Sequence, residues 1–348
     1  MCSAEPQPSF HLEPSAWDAS HVVMVTEGDR IDGTVTVLET WKGALKAGDM
    51  LIIPGLAQFK DKETRTIQNF WRKRTPEDQS PRIVTGNRMI LFLEKKRRAE
   101  QLQGATDGIW QAASPVWGMK GSTVWIENGR TYAFIQLVNP GPSLLVDLRM
   151  SEREMKSKVQ QAARTQEALR NIGKVADNAE RARQVRRFAE SAPFYGQGEA
   201  FAILGSCKEA GIPVLEEILN DHRMPSKCYA EITQALVSAA GTQAEAVLIR
   251  IVQEETQFLK LRTSTLPVNW WTVDGLNLAE ATEFRNHYHK LDYVVYKLQE
   301  VGSEKSKRAV EELKEYVESL PKPENPSWLT HLSQTCDSVL QKLQENQR

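Results

Sequence analysis

Apolar and polar residues follow two different rhythms along this chain, and the change between them falls near residue 150. Before that point, short runs rich in Val, Ile, Thr, Trp and Phe are bounded by Gly, Pro, Asn or Asp. They predict strands over 21–27, 33–41, 50–54, 88–94, 109–113, 123–127 and 130–138. In 33–41 strict alternation sets Val35, Val37 and Glu39 on one side and Thr34, Thr36, Leu38 and Thr40 on the other. Asn128-Gly129 lies between two such runs and predicts a two-residue hairpin, because a type I′ turn needs positive φ at both central positions. Strands joined without intervening helices predict a small antiparallel, OB-like β-barrel over 21–150. Residues 56–87 interrupt it with a stretch too long for a hairpin loop, read as a surface flap. Residues 1–20 read as a disordered start.

From 151 onward the period is helical. Ser151 and Glu154 have capping-box spacing, and a linking helix over 151–176 is expected to stop at Gly173. Further helices are predicted over 178–191, 198–211, 212–221, 228–239, 243–261, 277–302, 304–320 and 327–344. Similar apolar cores recur in Pro213–Leu219, Ala246–Val252 and Ala309–Lys314, offset by 33 and then 63 residues, near the period of helical-pair repeats. The stretch 210–253, with its glycine, proline, leucine-rich helix and alanine-rich helix, resembles the HEAT-repeat family. The resemblance covers 175–262 well and 275–344 loosely. It implies an all-α solenoid over 177–344 whose concave face docks a protein or peptide. In the first half, 33–55 followed by 86–93 is similar to the small barrels of netrin and tissue-metalloproteinase-inhibitor type. Those inhibitors bind a catalytic zinc through a disulfide-tethered N-terminal cysteine. Here Cys2 follows Met1 and no other cysteine lies in the barrel region, so inhibition is not carried over. The expected fold class is therefore α+β in separate domains.

Charge changes this picture only locally. The 348 residues include 44 Lys and Arg against 45 Asp and Glu, a formal net charge of -1, which argues against a chain committed wholly to a polyanion. Between Lys60 and Arg98, however, 12 basic residues face 5 acidic ones. Arg72, Lys73 and Arg74 follow directly on Phe70 and Trp71, the combination of phosphate contacts and stacking rings that single-strand binders use. The same aromatics serve equally to pin the flap to the barrel. Trp270 and Trp271, in the break between helical pairs, read either as an anchor or as exposed binding residues.

Catalytic signatures are missing: the sequence holds no Gly-x-Ser-x-Gly, phosphate-binding loop, dinucleotide fingerprint, His-Glu-x-x-His or EF-hand loop. His287 and His289 are two apart on a helix and face apart, whereas Glu283 and His287, at i and i+4, share a face and would need a further ligand to hold a metal. The alternative is a surface pair flanking the Phe284, Tyr288, Leu291, Val295 stripe. Glu255 falls on the stripe of Leu248, Ile251, Val252 and Leu259, which places it either buried or at the stripe's edge. Cys207 and Cys228 lie on apolar helix faces, and no apolar run is long enough to span a bilayer. The start, MCSAEPQPSF, lacks a signal-peptide pattern, leaving open a cytoplasmic chain or a lipoprotein whose signal preceded Cys2. The expectation is a non-enzymatic scaffold without cofactor or metal that binds a protein or peptide. Nucleic-acid binding through 60–98 is the first alternative, and a metal-dependent enzyme the second.

Overall fold

The computed structural model describes residues 10–27, 33–59, 66–67, 82–83, 88–95, 110–113, 119–136, 143–191, 194–220, 228–264, 278–320 and 327–345. The chain divides into two compact units, Met1–Ala168 and Leu169–Arg348.

The first unit is a mainly antiparallel sheet. Its described strands are β1 (His21–Glu27), β2 (Thr34–Lys42), β3 (Met50–Ile52), β4 (Thr66–Ile67), β5 (Arg82–Ile83), β6 (Arg88–Lys95), β7 (Trp110–Ala112), β8 (Thr123–Glu127), β9 (Arg130–Gln136) and β10 (Ser143–Ser151). They pair in the order β3-β2-β1-β6-β8-β9-β10-β4-β5, with β7 added on β6. Among the described residues the path is open, with β3 and β5 at its ends. The Asn128-Gly129 hairpin forms as expected, with φ of 52° and 72° in the left-handed region. β10 is a strand absent from the expectations above, and it pairs with β9 through an irregular register between Asp147 and Ser151. The flap region, too, has elements of its own: a 3-10 turn at Pro54–Phe59 and the two short strands β4 and β5, of which β4 runs parallel to β10.

Residues of β1 and β6 are buried on both faces. Val23, Val25, Met89, Leu91 and Leu93 enter one core with Val35, Val37, Leu51, Trp125 and Phe134. Val22, Met24, Ile90 and Phe92 enter a second core on the opposite face. That second core is closed by α1 (Leu12–Asp18) and the first turns of α2 (Glu152–Gly173), through Phe10, Leu12, Ala16, Met155, Val159 and Ala162. The expectation of disorder over 1–20 is therefore corrected from Phe10 onward: burying Phe10, Leu12, Ala16 and Trp17 offsets the entropy of ordering a seven-residue helix. Lys42 fastens the helix by donating to the carbonyls of Ala16 and Trp17 and to Gln166 Oε1. Gly33 has φ of +78°, and a Cβ there would stand 2.2 Å from the Ile53 carbonyl oxygen, so only glycine fits the turn into β2.

The second unit is all helical: the end of α2, then α3 (Asn178–Ser191), α4 (Gln197–Ser206), α5 (Ile212–Leu219), α6 (Cys228–Ala240), α7 (Ala244–Thr263), α8 (Leu278–Val301), α9 (Glu304–Ser319) and α10 (Ser327–Glu345). Ser151 caps α2 by accepting from the Glu154 N–H at 3.2 Å, one half of the expected capping box. Pro213 occupies the first turn of α5, where its missing N–H costs nothing. Helices two apart in sequence pack on one another: α4 on α6, α6 on α8, α8 on α10, and likewise α7 on α9. The three similar apolar cores seen in the sequence fall on α5, α7 and α9. Among the described residues no helix is long and apolar enough to cross a membrane.

Candidate functional site

Two features of the helical unit stand out, a groove and a buried polar cluster, and α8 contributes to both. The groove, of about 530 Å³, runs over α4, α6 and α8. Its floor on α4 is made of small residues, Gly198, Ala202 and Gly205. A Cβ on Gly205 would meet the Ala235 backbone at 3.1–3.2 Å, so the glycine lets α4 and α6 approach closely. From α6 come Glu231, Gln234 and Ser238, an exposed polar stripe at i, i+3 and i+7, on the side away from the buried Ile232, Leu236 and Ala239. The wall on α8 is Tyr293, Tyr296 and Lys297. Tyr296 is 49% exposed, so its ring is open to a ligand or partner. The Lys297 ammonium is held at 2.6 Å by both Gln234 Oε1 and Glu300 Oε1, which fixes the stem beside the ring of Tyr296.

Two to three turns earlier on α8, His287 and Lys290 point into the interior. Glu255 of α7 accepts from Lys290 Nζ at 2.6 Å through Oε1 and lies 2.5 Å from His287 Nδ1 through Oε2. Lys290 also donates to Asn220 Oδ1 at 2.6 Å, at the end of α5. Phe258, one turn beyond Glu255, stacks on the His287 ring at 3.8 Å between centroids. The three ionisable residues are 6%, 3% and 1% exposed in the order Glu255, His287, Lys290. Burial pushes the Glu255 carboxyl up, but the His287 hydrogen bond and the Lys290 charge outweigh it, and the net shift is below the ordinary carboxylate value. The carboxylate thus joins α7 to α8, and Lys290 extends the cluster to the end of α5, all three ionisable side chains lying within the packing.

This burial decides two alternatives that the sequence leaves open. Glu255 is inside the packing and not at the edge of its stripe, and His287 is not a surface residue. The two burials have one cause: Glu255 Oε2 and His287 Nδ1 partner each other inside the packing. Lys290 could not be picked out from spacing, because a lysine on a helix is ordinarily read as solvated. Its position three residues after His287, on the same face, was the one available signal. His287 Nδ1 is turned toward Glu255, and the Glu283 side chain lies outside the described residues. Among the described residues no group of three or more His, Cys, Asp or Glu is placed to hold a metal.

The sequence-derived binding residues Trp270, Trp271, Phe70, Trp71, Arg72, Lys73 and Arg74 all lie outside the described residues. Of the basic run, Arg82, Arg88 and Lys95 lie on described strands, and the Arg88 side chain pairs with Glu152 at 3.1 Å. Trp110 and Trp125 are buried in the sheet core. Cys207, Cys228 and Cys336 are buried thiols, and burial pushes the Cys336 thiol up to about 12, so it stays protonated. Comparison with known protein families, with curated proteins and with solved structures finds no match to this chain.

Proposed function

We propose that the chain is a non-enzymatic binding or scaffolding protein, in which an OB-like barrel precedes a HEAT-like α-solenoid, and that a peptide segment of a partner protein docks in the groove over α4, α6 and α8. The carrying observation is the groove itself: small residues on its floor, an exposed tyrosine on its wall, and a polar stripe between them. Small floor residues admit a chain close to the helices, aromatic walls supply contact area at low entropic cost, and Gln234 and Ser238 offer polar partners for a peptide main chain. Stacking of helices two apart, with the three similar cores on α5, α7 and α9, supports the solenoid reading.

The test is selection of a displayed random-peptide library on the full chain, followed by rebinding to Ala202→Arg and Tyr296→Ala variants. Both positions are exposed, so unfolding midpoints should be unchanged. Selected peptides are expected to lose at least about tenfold in affinity on the arginine that fills the floor, and severalfold on loss of the ring. Peptides that bind all three proteins equally would show that the groove is not the site.

A further inference from the structure

Three of the large apolar side chains most exposed among the described residues stand together at one end of the sheet: Leu38 at 38%, Met50 at 61% and Ile52 at 42%. The register explains their grouping. Ile52 lies opposite Thr34 and Met50 opposite Thr36, so Ile52, Met50 and, two residues on, Leu38 share one face, while Val35, Val37 and Leu51 enter the core on the other. β3 ends the sheet, and among the described residues no strand pairs with its outer side.

The main-chain bonds show which groups that outer side presents. Ile53 N–H donates to the Gly33 carbonyl at 3.0 Å, and Val37 N–H to the Asp49 carbonyl at 2.9 Å. Bonded pairs alternate along an antiparallel ladder, so Val35 and Leu51 form the bonded pair between them. The N–H and C=O groups of Met50 and Ile52 therefore point away from β2, off the edge of the sheet.

We propose that this edge pairs antiparallel with the same edge of a second copy of the chain, centred on Leu51. A two-fold axis there sets Met50 of one copy opposite Ile52 of the other, and the outward groups of both residues meet their counterparts in reciprocal main-chain hydrogen bonds. The outward groups are symmetric about Leu51, so the strand complements itself and the contact closes at two copies. Residues 50–54 carry no charge, and the flanking Asp49 falls opposite Ile53 of the other copy, so no like charges are opposed. The Asp49 carboxylate is engaged within its own loop, accepting from the Lys46 N–H at 2.8 Å. Pro54 has no N–H to give and ends the ladder, which keeps the contact short and the dimer weak.

Sedimentation of the full chain between about 1 µM and about 1 mM tests this, alongside Ile52→Lys and Met50→Lys. The wild-type mass should rise from 39.3 kDa toward twice that value. Each lysine variant should associate at least about tenfold more weakly with an unchanged unfolding midpoint. Amide exchange at Met50 and Ile52 should slow only at high concentration. A mass that stays at 39.3 kDa throughout would overturn the proposal. So would association that survives both lysines, or exchange at these two amides that does not depend on concentration. A chain that stays monomeric, yet protects the two amides on adding a synthetic Thr-Val-Thr-Val-Thr-Val peptide, would give the edge to a foreign strand and equally refute pairing between copies.

Discussion

Glu255 is the residue on which the helical packing depends most sharply. Removing one member of a buried ion pair strands the other, so Glu255→Gln should cost about 3 kcal/mol in urea unfolding, because Lys290 stays buried with only neutral partners. The double variant Glu255→Gln with Lys290→Met, which removes both charges at similar volume, should be more stable than Glu255→Gln alone. The pH dependence has a fixed sign. The Glu255 carboxyl is lowered in the folded chain, so its contribution is fully present above the ordinary value of 4.5 and is lost as pH falls through the lower, folded value. Acid titration of stability should therefore be flatter in Glu255→Gln than in the wild type below about pH 4.5. The sequence already places Glu255 on its helix's apolar stripe, since spacing reports a face. Which residue meets it there depends on how α7 and α8 are packed, and spacing within one helix carries nothing about that.

Elements were legible where a turn or a period is written locally. The Asn128-Gly129 hairpin is one such case, and its left-handed backbone gives it a measurable signature. A Cβ at Gly129 meets nothing within 4 Å, so Gly129→Val should lose about 1–2 kcal/mol from backbone conformation alone, and Gly129→Asn clearly less, by chemical denaturation. Gly33→Ala should cost more than Gly129→Ala, because a clash with the Ile53 carbonyl adds to the positive φ. β10 was legible in part, since apolar and polar residues alternate over Val146–Ser151; what spacing does not carry is the irregular stretch of its ladder, where Arg149 has φ of 53°. The helix α1 was hidden for a different reason. Seven residues without a side-chain N-cap do not make a helix by propensity, and these are held by the second sheet core and by Lys42.

At the scale of the whole molecule, charge balance has a use. A formal net charge of -1 gives two copies almost no mutual repulsion, so any self-association should change little between about 50 mM and about 500 mM salt. Binding of a polyanion through the 60–98 run would instead weaken steeply over that range, which separates the two behaviours in one titration. The burial of β1 and β6 on both faces bears on how the chain reaches this structure at all. Their pairing joins His21–Thr26 to Arg88–Leu93, a distant closure that is slow to find. A slip of one residue usually exposes an apolar face and is rejected at once, yet here Val, Met, Ile, Leu and Phe occupy both faces and a slipped pair would bury almost as much. Rejection of the wrong alignment falls instead to β2, whose Thr36 and Leu38 face solvent while Val35 and Val37 do not, and whose ladder with β1 shifts register at Val22/Val23 and Met24/Val25. The outer hairpin thus proofreads the centre of the sheet, and damage to β2 should appear first as refolding yield lost to misaligned, aggregating chains while the native state keeps most of its stability.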